Sequence, residues 1–194
     1  MTHNGILFVI SGPSGVGKGT LREALLKSTP NLIDSISVTT RPARIGERDG
    51  REYFFMDRDK FENLIKQEEF LEWAQVYSNL YGTPKQFVQE NLDKGLDVLL
   101  EIDIQGAMQV KAKKPDGVFI FIAPPNVEEL ANRLINRGKD SQDSIVERLK
   151  ACYDEMEFMR EYDYLVINDN ISEAIKNLEA IIIAERCKIN KDKE

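Results

Sequence analysis

Nine consecutive residues carry the sharpest chemical signal in the chain: Gly12, Pro13, Ser14, Gly15, Val16, Gly17, Lys18, Gly19 and Thr20. Glycines let the backbone curl so that successive N–H groups face inward, a geometry that collects phosphate oxygens. A helix beginning at the end of the loop adds the positive end of its dipole, and Lys18 adds a point charge. The spacing is that of G-x-x-x-x-G-K, a triphosphate-binding loop when a strand precedes it and a helix follows. Both flanks are present. Residues 6–10 form an unbroken apolar run, and Leu21, Ala24, Leu25 and Leu26 mark a helical stripe behind the loop. A dinucleotide loop of the G-x-G-x-x-G kind fits less well, because Thr20 stands at its last glycine and Lys18 has no task there. The strict motif follows its lysine with a Mg2+-binding Ser or Thr. Here Gly19 takes that place and the hydroxyl comes one residue later, at Thr20. Direct ligation of metal is therefore not expected, and a Mg2+ cofactor would be held by triphosphate oxygens and water.

A second cationic cluster follows. The chain has eleven Arg and fifteen Lys, yet residues 41–51 hold four Arg (Arg41, Arg44, Arg48 and Arg51) and no Lys. The guanidinium fork grips phosphate oxygens in pairs, which an ammonium does not. A solvated loop whose arginines balance Glu47 and Asp49 is the alternative; the nearby phosphate loop favours a second phosphate site. Histidine occurs once, as His3, so Ser–His–Asp, Cys–His and His-rich metal chemistry have no base or ligand set. Cys152 and Cys187 form no C-x-x-C pair, and neither a disulfide framework nor a zinc knuckle is indicated. What remains is chemistry by carboxylates, lysine, arginine and backbone amides.

The elements that must position these groups follow from composition and pattern. A length of 194 residues suits one globular unit, and 42% hydrophobic with 30% charged residues is ordinary for a soluble protein. The formal charge of −7 argues against generic nucleic-acid binding, which needs a basic footprint. No apolar run reaches the ~18 residues of a membrane span, and the first residues lack a basic leader, so a cytoplasmic location is expected. Apolar runs recur at residues 96–102, 118–122 and 164–167. Between them lie helical stripes: residues 126–137 open with Asn126 and Glu129 as a capping box, and residues 171–189 follow Asn170 and Glu173 in the same arrangement. Strands alternating with helices predict an α/β fold with a mostly parallel central sheet flanked by helices. Residues 36–81 break the alternation. They hold the arginine loop, strand-like pieces at 53–55 and 71–77 and a helix between them, and read as an insertion at the ligand-binding edge of the sheet. Thr83-Pro84 is expected to open the next helix as N-cap and first residue. The polar stretch 138–144 has the composition of a movable flap, and the tail at 191–194 that of a disordered end.

The sequence Ser37-Val38-Thr39-Thr40-Arg41-Pro42-Ala43-Arg44 with Gly46-Glu47 resembles the guanylate kinase family. So do Gly50-Arg51-Glu52-Tyr53-Phe54-Phe55, Phe70-Leu71-Glu72-Trp73-Ala74, Tyr81-Gly82-Thr83-Pro84 and Glu101-Ile102-Asp103-Ile104-Gln105-Gly106. The likeness runs from the phosphate loop to about Asn168. It implies a phosphate-loop kinase fold in one domain over residues 1–194, with a core at 1–35 and 84–194, a lid at about 137–148 and a GMP-binding insertion at about 36–83. It implies ATP and GMP as substrates, with ADP and GDP as products. Arg41, Arg44, Tyr53 and Tyr81 would hold the GMP phosphate, and Ser37, Glu72, Thr83 and Asp103 would read the guanine. Arg133, Arg137 and Arg148 would clamp the transferring group with Lys18 and Arg41, and Asn168 would lie near the ATP nucleoside.

Chemistry agrees independently: guanine offers N1–H and N2–H2 donors to a carboxylate and O6 to a hydroxyl, whereas adenine would leave a buried carboxylate unpaired. Glu101 and Asp103 end an apolar strand where open α/β sheets bind ligands, and Asp103 is open to either a guanine role or a water-mediated Mg2+ role. Two alternatives stand beside this reading: a phosphate-loop kinase with another acceptor, and a catalytically inactive guanylate-kinase-like module that binds phosphopeptides. Such modules typically lack an intact phosphate loop, which is present here. Oligomeric state is left open.

Overall fold

The computed structural model describes residues 4–76, 78–136 and 142–189, without the side chains at 136, 142–148 and 151. Five strands form the central sheet: β1 (Leu7–Ser11), β2 (Leu32–Asp34), β7 (Asp97–Glu101), β8 (Val118–Ala123) and β9 (Tyr164–Ile167). Their order is β2-β7-β1-β8-β9 and every pairing is parallel. This is the α/β architecture that the apolar runs predict. Because side chains alternate along a strand, the sheet feeds two cores. Phe8, Ile10, Leu99, Ile120 and Ile122 meet Leu21 and Leu25 of α1 (Lys18–Ser28) and Leu178 and Ile182 of α7 (Ile171–Arg186). Leu7, Val9, Val98, Leu100 and Phe119 face the other way. They meet Val88 and Leu92 of α3 (Lys85–Asp93) and Ala107 and Val110 of α4 (Ile104–Lys113). Strands buried on both faces lack an alternating polar pattern, which is why they read as continuous apolar runs.

A second sheet is built entirely from residues 38–84: β3 (Val38–Thr39), β4 (Phe54–Phe55), β5 (Phe70–Val76) and β6 (Asn79–Pro84), in the order β4-β3-β6-β5. It has its own small core, where Phe61 of α2 (Arg58–Lys66) stacks on Phe70 with centroids 4.4 Å apart beside Val38 and Leu80. Strands β2, β3 and β6 carry no signal in the sequence. The first two are only three and two residues long, and β6 is interrupted by Gly82 and ends on Pro84. Residues Thr83 and Pro84 do not open a helix as expected. They finish β6, and α3 starts at Lys85 with Pro84 at its N-cap and no side-chain cap. A hydroxyl that caps is unavailable elsewhere, and that of Thr83 has another partner, described below.

The other caps form as the pattern predicts. Asn126 Oδ1 accepts from the Glu129 N–H at 2.7 Å before α5 (Val127–Asn136), and Asn170 Oδ1 accepts from the N–H groups of Ser172 and Glu173. Helix α6 (Gln142–Glu157) and a 3-10 turn (Phe158–Glu161) lead into β9. Arg137, the whole of the expected flap between α5 and α6 apart from its helical end, the Arg148 side chain and the tail at 191–194 lie outside the described residues. No described helix is long and apolar enough to cross a membrane.

Asp97 ties three distant parts of the chain together. Buried at the start of β7, it accepts from the Ile6 N–H and from Arg186 Nε of α7, each at 2.7 Å. Removing that carboxylate orphans a buried N–H and a partly buried guanidinium. Asp97→Ala is expected to lower stability by about 3 kcal/mol, read from urea denaturation midpoints at pH 7. A loss under about 1 kcal/mol would mean that water replaces the carboxylate without penalty.

Candidate active site

The donor-side geometry begins at β1. Its last residue, Ser11, is followed by Gly12 at φ +145°, where a Cβ would lie 2.1 Å from the Ile122 carbonyl oxygen. The loop ends at Gly17, φ +98°, which serves as the N-cap of α1. A side chain there would strike Asn168 Nδ2 at 2.6 Å. These two positions admit glycine alone for both conformational and steric reasons. Lys18 Nζ donates to the carbonyls of Gly12 (2.5 Å) and Pro13 (3.1 Å), so the ammonium lies across the loop. Burial pushes its pKa down, opposed by the nearby Glu101, Glu155 and Asp103 carboxylates. Asn168 is buried against the loop, its Nδ2 donating to the Val16 carbonyl at 2.8 Å. Arg133 reaches the Asn168 carbonyl at 2.8 Å and also pairs with Glu129. Its guanidinium lines a cavity of about 660 Å3 with Ser14, Lys18, Thr20, Asp103 and Glu155.

A second cavity of about 530 Å3 lies alongside, lined by Arg22, Asp34, Ser37, Tyr53, Thr83 and Glu101 among others. Glu101 and Ile102 belong to both cavities. Burial raises the Glu101 pKa, while Arg22 and Lys18 counter it. Arg22 holds the carboxylate at 3.1 Å and also pairs closely with Asp34. Sequence reasoning passed over Arg22. Its signal was position: four residues after Lys18, it shares a face of α1 with that lysine. Gly19 stands opposite Glu101, and a Cβ there would sit 3.6 and 3.7 Å from the two carboxylate oxygens. The point where the strict motif places a hydroxyl is thus faced by a carboxylate from β7. Carboxylates at a phosphate loop suit a hydrated Mg2+, although no three acidic or histidine side chains gather as a metal cage among the described residues.

Thr83, on the wall of the second cavity, is backed by the buried Glu72, with the exposed Asp103 close by; Asp103 lines the donor cavity, and neither carboxylate lines the second one. Glu72 is 7% exposed, and its Oε1 accepts from Thr83 Oγ1 at 2.6 Å. This is the partner that takes Thr83 away from helix capping. Asp103 caps α4, its Oδ1 accepting from the Gly106 N–H at 2.7 Å. Glu72 and Asp103 meet over Gly106, where a Cβ would be 3.0 Å from Glu72 Oε2 and 3.3 Å from Asp103 Oδ1. On the arginine loop, Arg41 NH1 and NH2 donate to the two Glu47 oxygens at 3.0 and 2.9 Å. The alternative of a self-balancing loop therefore describes part of what is present. The same guanidinium lies 5.6 Å from the Tyr53 ring centroid, and Tyr53 meets Tyr81 edge-on at 5.9 Å. Arg41, Tyr53 and Tyr81 are thus brought together. The Arg44 residue is exposed, with its backbone N–H donating to Glu47.

Glu155 was also missed by sequence reasoning. It lies near the end of α6, lines the donor cavity and accepts from the backbone N–H of Ser14. Nothing in its own neighbourhood, Asp154-Glu155-Met156-Glu157, separates it from a surface acid.

The parallel sheet with its glycine loop at the carboxyl edge defines a phosphate-loop kinase of the α/β class. The guanylate kinase family model matches residues 5–185. Guanylate kinase of Syntrophomonas wolfei is 66% identical over 189 residues, covering 97% of both chains. That of Caldanaerobacter subterraneus is 52% identical over 190 residues, covering 98% of this chain and 92% of the relative. The crystal structure of guanylate kinase from Anaplasma phagocytophilum superposes with a TM-score of 0.74 at 37% identity, covering 96% of this chain and 89% of that one. The chain belongs to the guanylate kinase family.

Burial raises the Glu72 pKa from 4.5 to about 7, the nearby Asp103 adding to it while the Thr83 hydrogen bond works against it. An unfolded glutamate releases its proton near 4.5, so between these values the native chain holds a proton that the unfolded chain has lost. Stability from this group therefore falls as pH rises through that window. Comparing the nucleotide-free protein with Glu72→Gln by urea denaturation, the variant's relative stability should rise by about 3 kcal/mol from pH 4.5 to pH 7.5. A difference that stays constant with pH would mean that Glu72 titrates normally.

Proposed function

We propose that this chain transfers the γ-phosphoryl group of ATP to GMP, giving ADP and GDP, within one domain spanning residues 1–194. In this reading the core comprises 1–35 and 84–194, the acceptor-binding insertion 36–83 and the lid about 137–148. The observation that carries the proposal is the shared wall. Two polar cavities of nucleotide size meet at Glu101 and Ile102, one rimmed by the phosphate loop and the other by Ser37, Tyr53 and Thr83.

The loop amides and Lys18 receive the triphosphate of ATP, with Asn168 bracing the loop beside the nucleoside. Arg41 turns from Glu47 to the GMP phosphate, joined by Arg44 and the Tyr53 and Tyr81 hydroxyls. Ser37, Glu72, Thr83 and Asp103 read the guanine edge, the carboxylates accepting from N1–H and N2–H2. Arg133, with Arg137 and Arg148, clamps the group in flight. No general base is required, because the attacking phosphate oxygen of GMP is already anionic. Catalysis is positioning plus neutralisation of spreading charge, which fits a chain whose single histidine is His3. Glu101 and Asp103 are the groups that would hold a Mg2+ through its water shell, and the bound ion supplies charge neutralisation on the triphosphate. The free thiols at Cys152 and Cys187 support a reducing compartment, the cytoplasm.

The direct test is a coupled assay across GMP, AMP, CMP and UMP with ATP and Mg2+. Turnover with GMP at least about a thousandfold above AMP is expected from a buried carboxylate left unpaired by adenine. Equal use of AMP would overturn the acceptor assignment. Glu72→Ala should raise KM for GMP by about a hundredfold while KM for ATP changes little; matched increases in both would remove Glu72 from the guanine pocket. Replacing Lys18 with Ala should lower kcat by about a hundredfold or more without altering the circular dichroism spectrum. Retained turnover would exclude the loop lysine from the mechanism.

A further inference from the structure

The donor cavity contains more negative than positive side chains. Glu101, Asp103 and Glu155 face Lys18 and Arg133, an unexpected balance for a site that takes a polyanion. Two of the acids have structural holders away from the loop: Glu101 is gripped by Arg22, and Asp103 caps α4. Glu155 differs. Its attractive partners among the described residues, the Ser14 N–H and Lys18, both belong to the phosphate loop. Inward-facing N–H groups beside a buried ammonium form an anion cage, and an empty cage of that kind is costly.

We infer that Glu155 occupies the donor-phosphate position at the Ser14 amide in the nucleotide-free chain and must withdraw for a triphosphate to seat. The inference rests on the reading of residues 12–20 as the donor cradle. The Ser14 N–H cannot serve a carboxylate and a phosphate oxygen at full strength together, and a carboxylate left beside a polyphosphate in a partly buried site is repelled by it. Glu155 therefore acts as a specificity-setting residue of the donor site. It satisfies the cage when nucleotide is absent, and it lowers affinity for any short anion too weak to displace it, including inorganic phosphate. Its place on α6 means that seating the triphosphate releases that helix from the loop.

The test is isothermal titration calorimetry of the full chain with ADP, inorganic tripolyphosphate and GMP, for the native protein, Glu155→Gln and Glu155→Ala. Both variants should bind ADP and tripolyphosphate more tightly, by about tenfold for loss of one adjacent like charge, with GMP affinity unchanged within about twofold. Misfolding cannot produce tighter binding, so the gain separates this role from a structural one. Unchanged or weaker binding of ADP in both variants would overturn the inference and make Glu155 a support of the donor site. Failure of the native chain to bind either ADP or tripolyphosphate would instead overturn the donor-cradle reading, and this inference with it.

Discussion

Everything functional in this molecule hangs on the parallel pairing of β1 with β7. Their register sets Ile10 beside Glu101, so the two strands end at the same level of the same sheet edge. Each then gives way to a helix N-terminus, the first through the glycine loop and Gly17, the second through Ile102 and Asp103. One strand end thus supplies a ring of amides and an ammonium, and its neighbour supplies the acids that face them. The register is held by burial on both sides, since Phe8 and Ile10 enter one core while Leu7 and Val9 enter the other. A slip by one residue would exchange the two sets and empty both cores, so the alignment of loop and acids is secured by apolar area far larger than any single polar contact.

The second sheet is joined to that edge by Leu71 of β5, buried in the core beside Val9 and Ala107, and by polar contacts of short reach. Gln109 of α4 exchanges hydrogen bonds with both backbone groups of Trp73, and Lys113 donates to the Phe70 carbonyl at 2.7 Å. These fasten β5 to α4 on either side of Glu72. The absence of a side chain at Gly106 lets the strand approach closely enough to bring Glu72 near Asp103. Burial of the Glu72 carboxylate, with the charge of the exposed Asp103 close by, is unfavourable and is the physical cause of the raised Glu72 pKa. That unfavourable arrangement has a use if a ligand with two adjacent N–H donors relieves it. At the shared wall Arg22 opposes the corresponding upward push of burial on the Glu101 pKa between the two cavities.

The parts that were legible in the sequence are those fixed by local or periodic constraint. The phosphate loop, the buried strands β1, β7 and β8, the apolar edge strand β9, and the Asn126 and Asn170 caps all announce themselves within a few residues. Strand β4 was legible as the piece at 53–55, but its partner β3, two residues long, falls below any periodicity, and their pairing is a property of the whole sheet. Thr83-Pro84 shows how a local signal is overridden. The pair suits a helix start by type, but the buried Glu72 carboxylate needs a donor, and the Thr83 hydroxyl answers that need from within β6. Arg22, Glu155 and Gln109 escaped for a related reason: each acts through a partner far away in sequence, and an isolated charge or amide on a helix carries no mark of what it meets.

The central claim is that the loop-lined and the arginine- and tyrosine-lined cavities face each other across Glu101 and are occupied at the same time. The most direct measurement is competition calorimetry with adenosine and guanosine joined 5′ to 5′ through a polyphosphate chain. One molecule per chain should displace both ADP and GMP, and bind more tightly than either alone. Displacement of one nucleotide while the other stays bound would contradict the account.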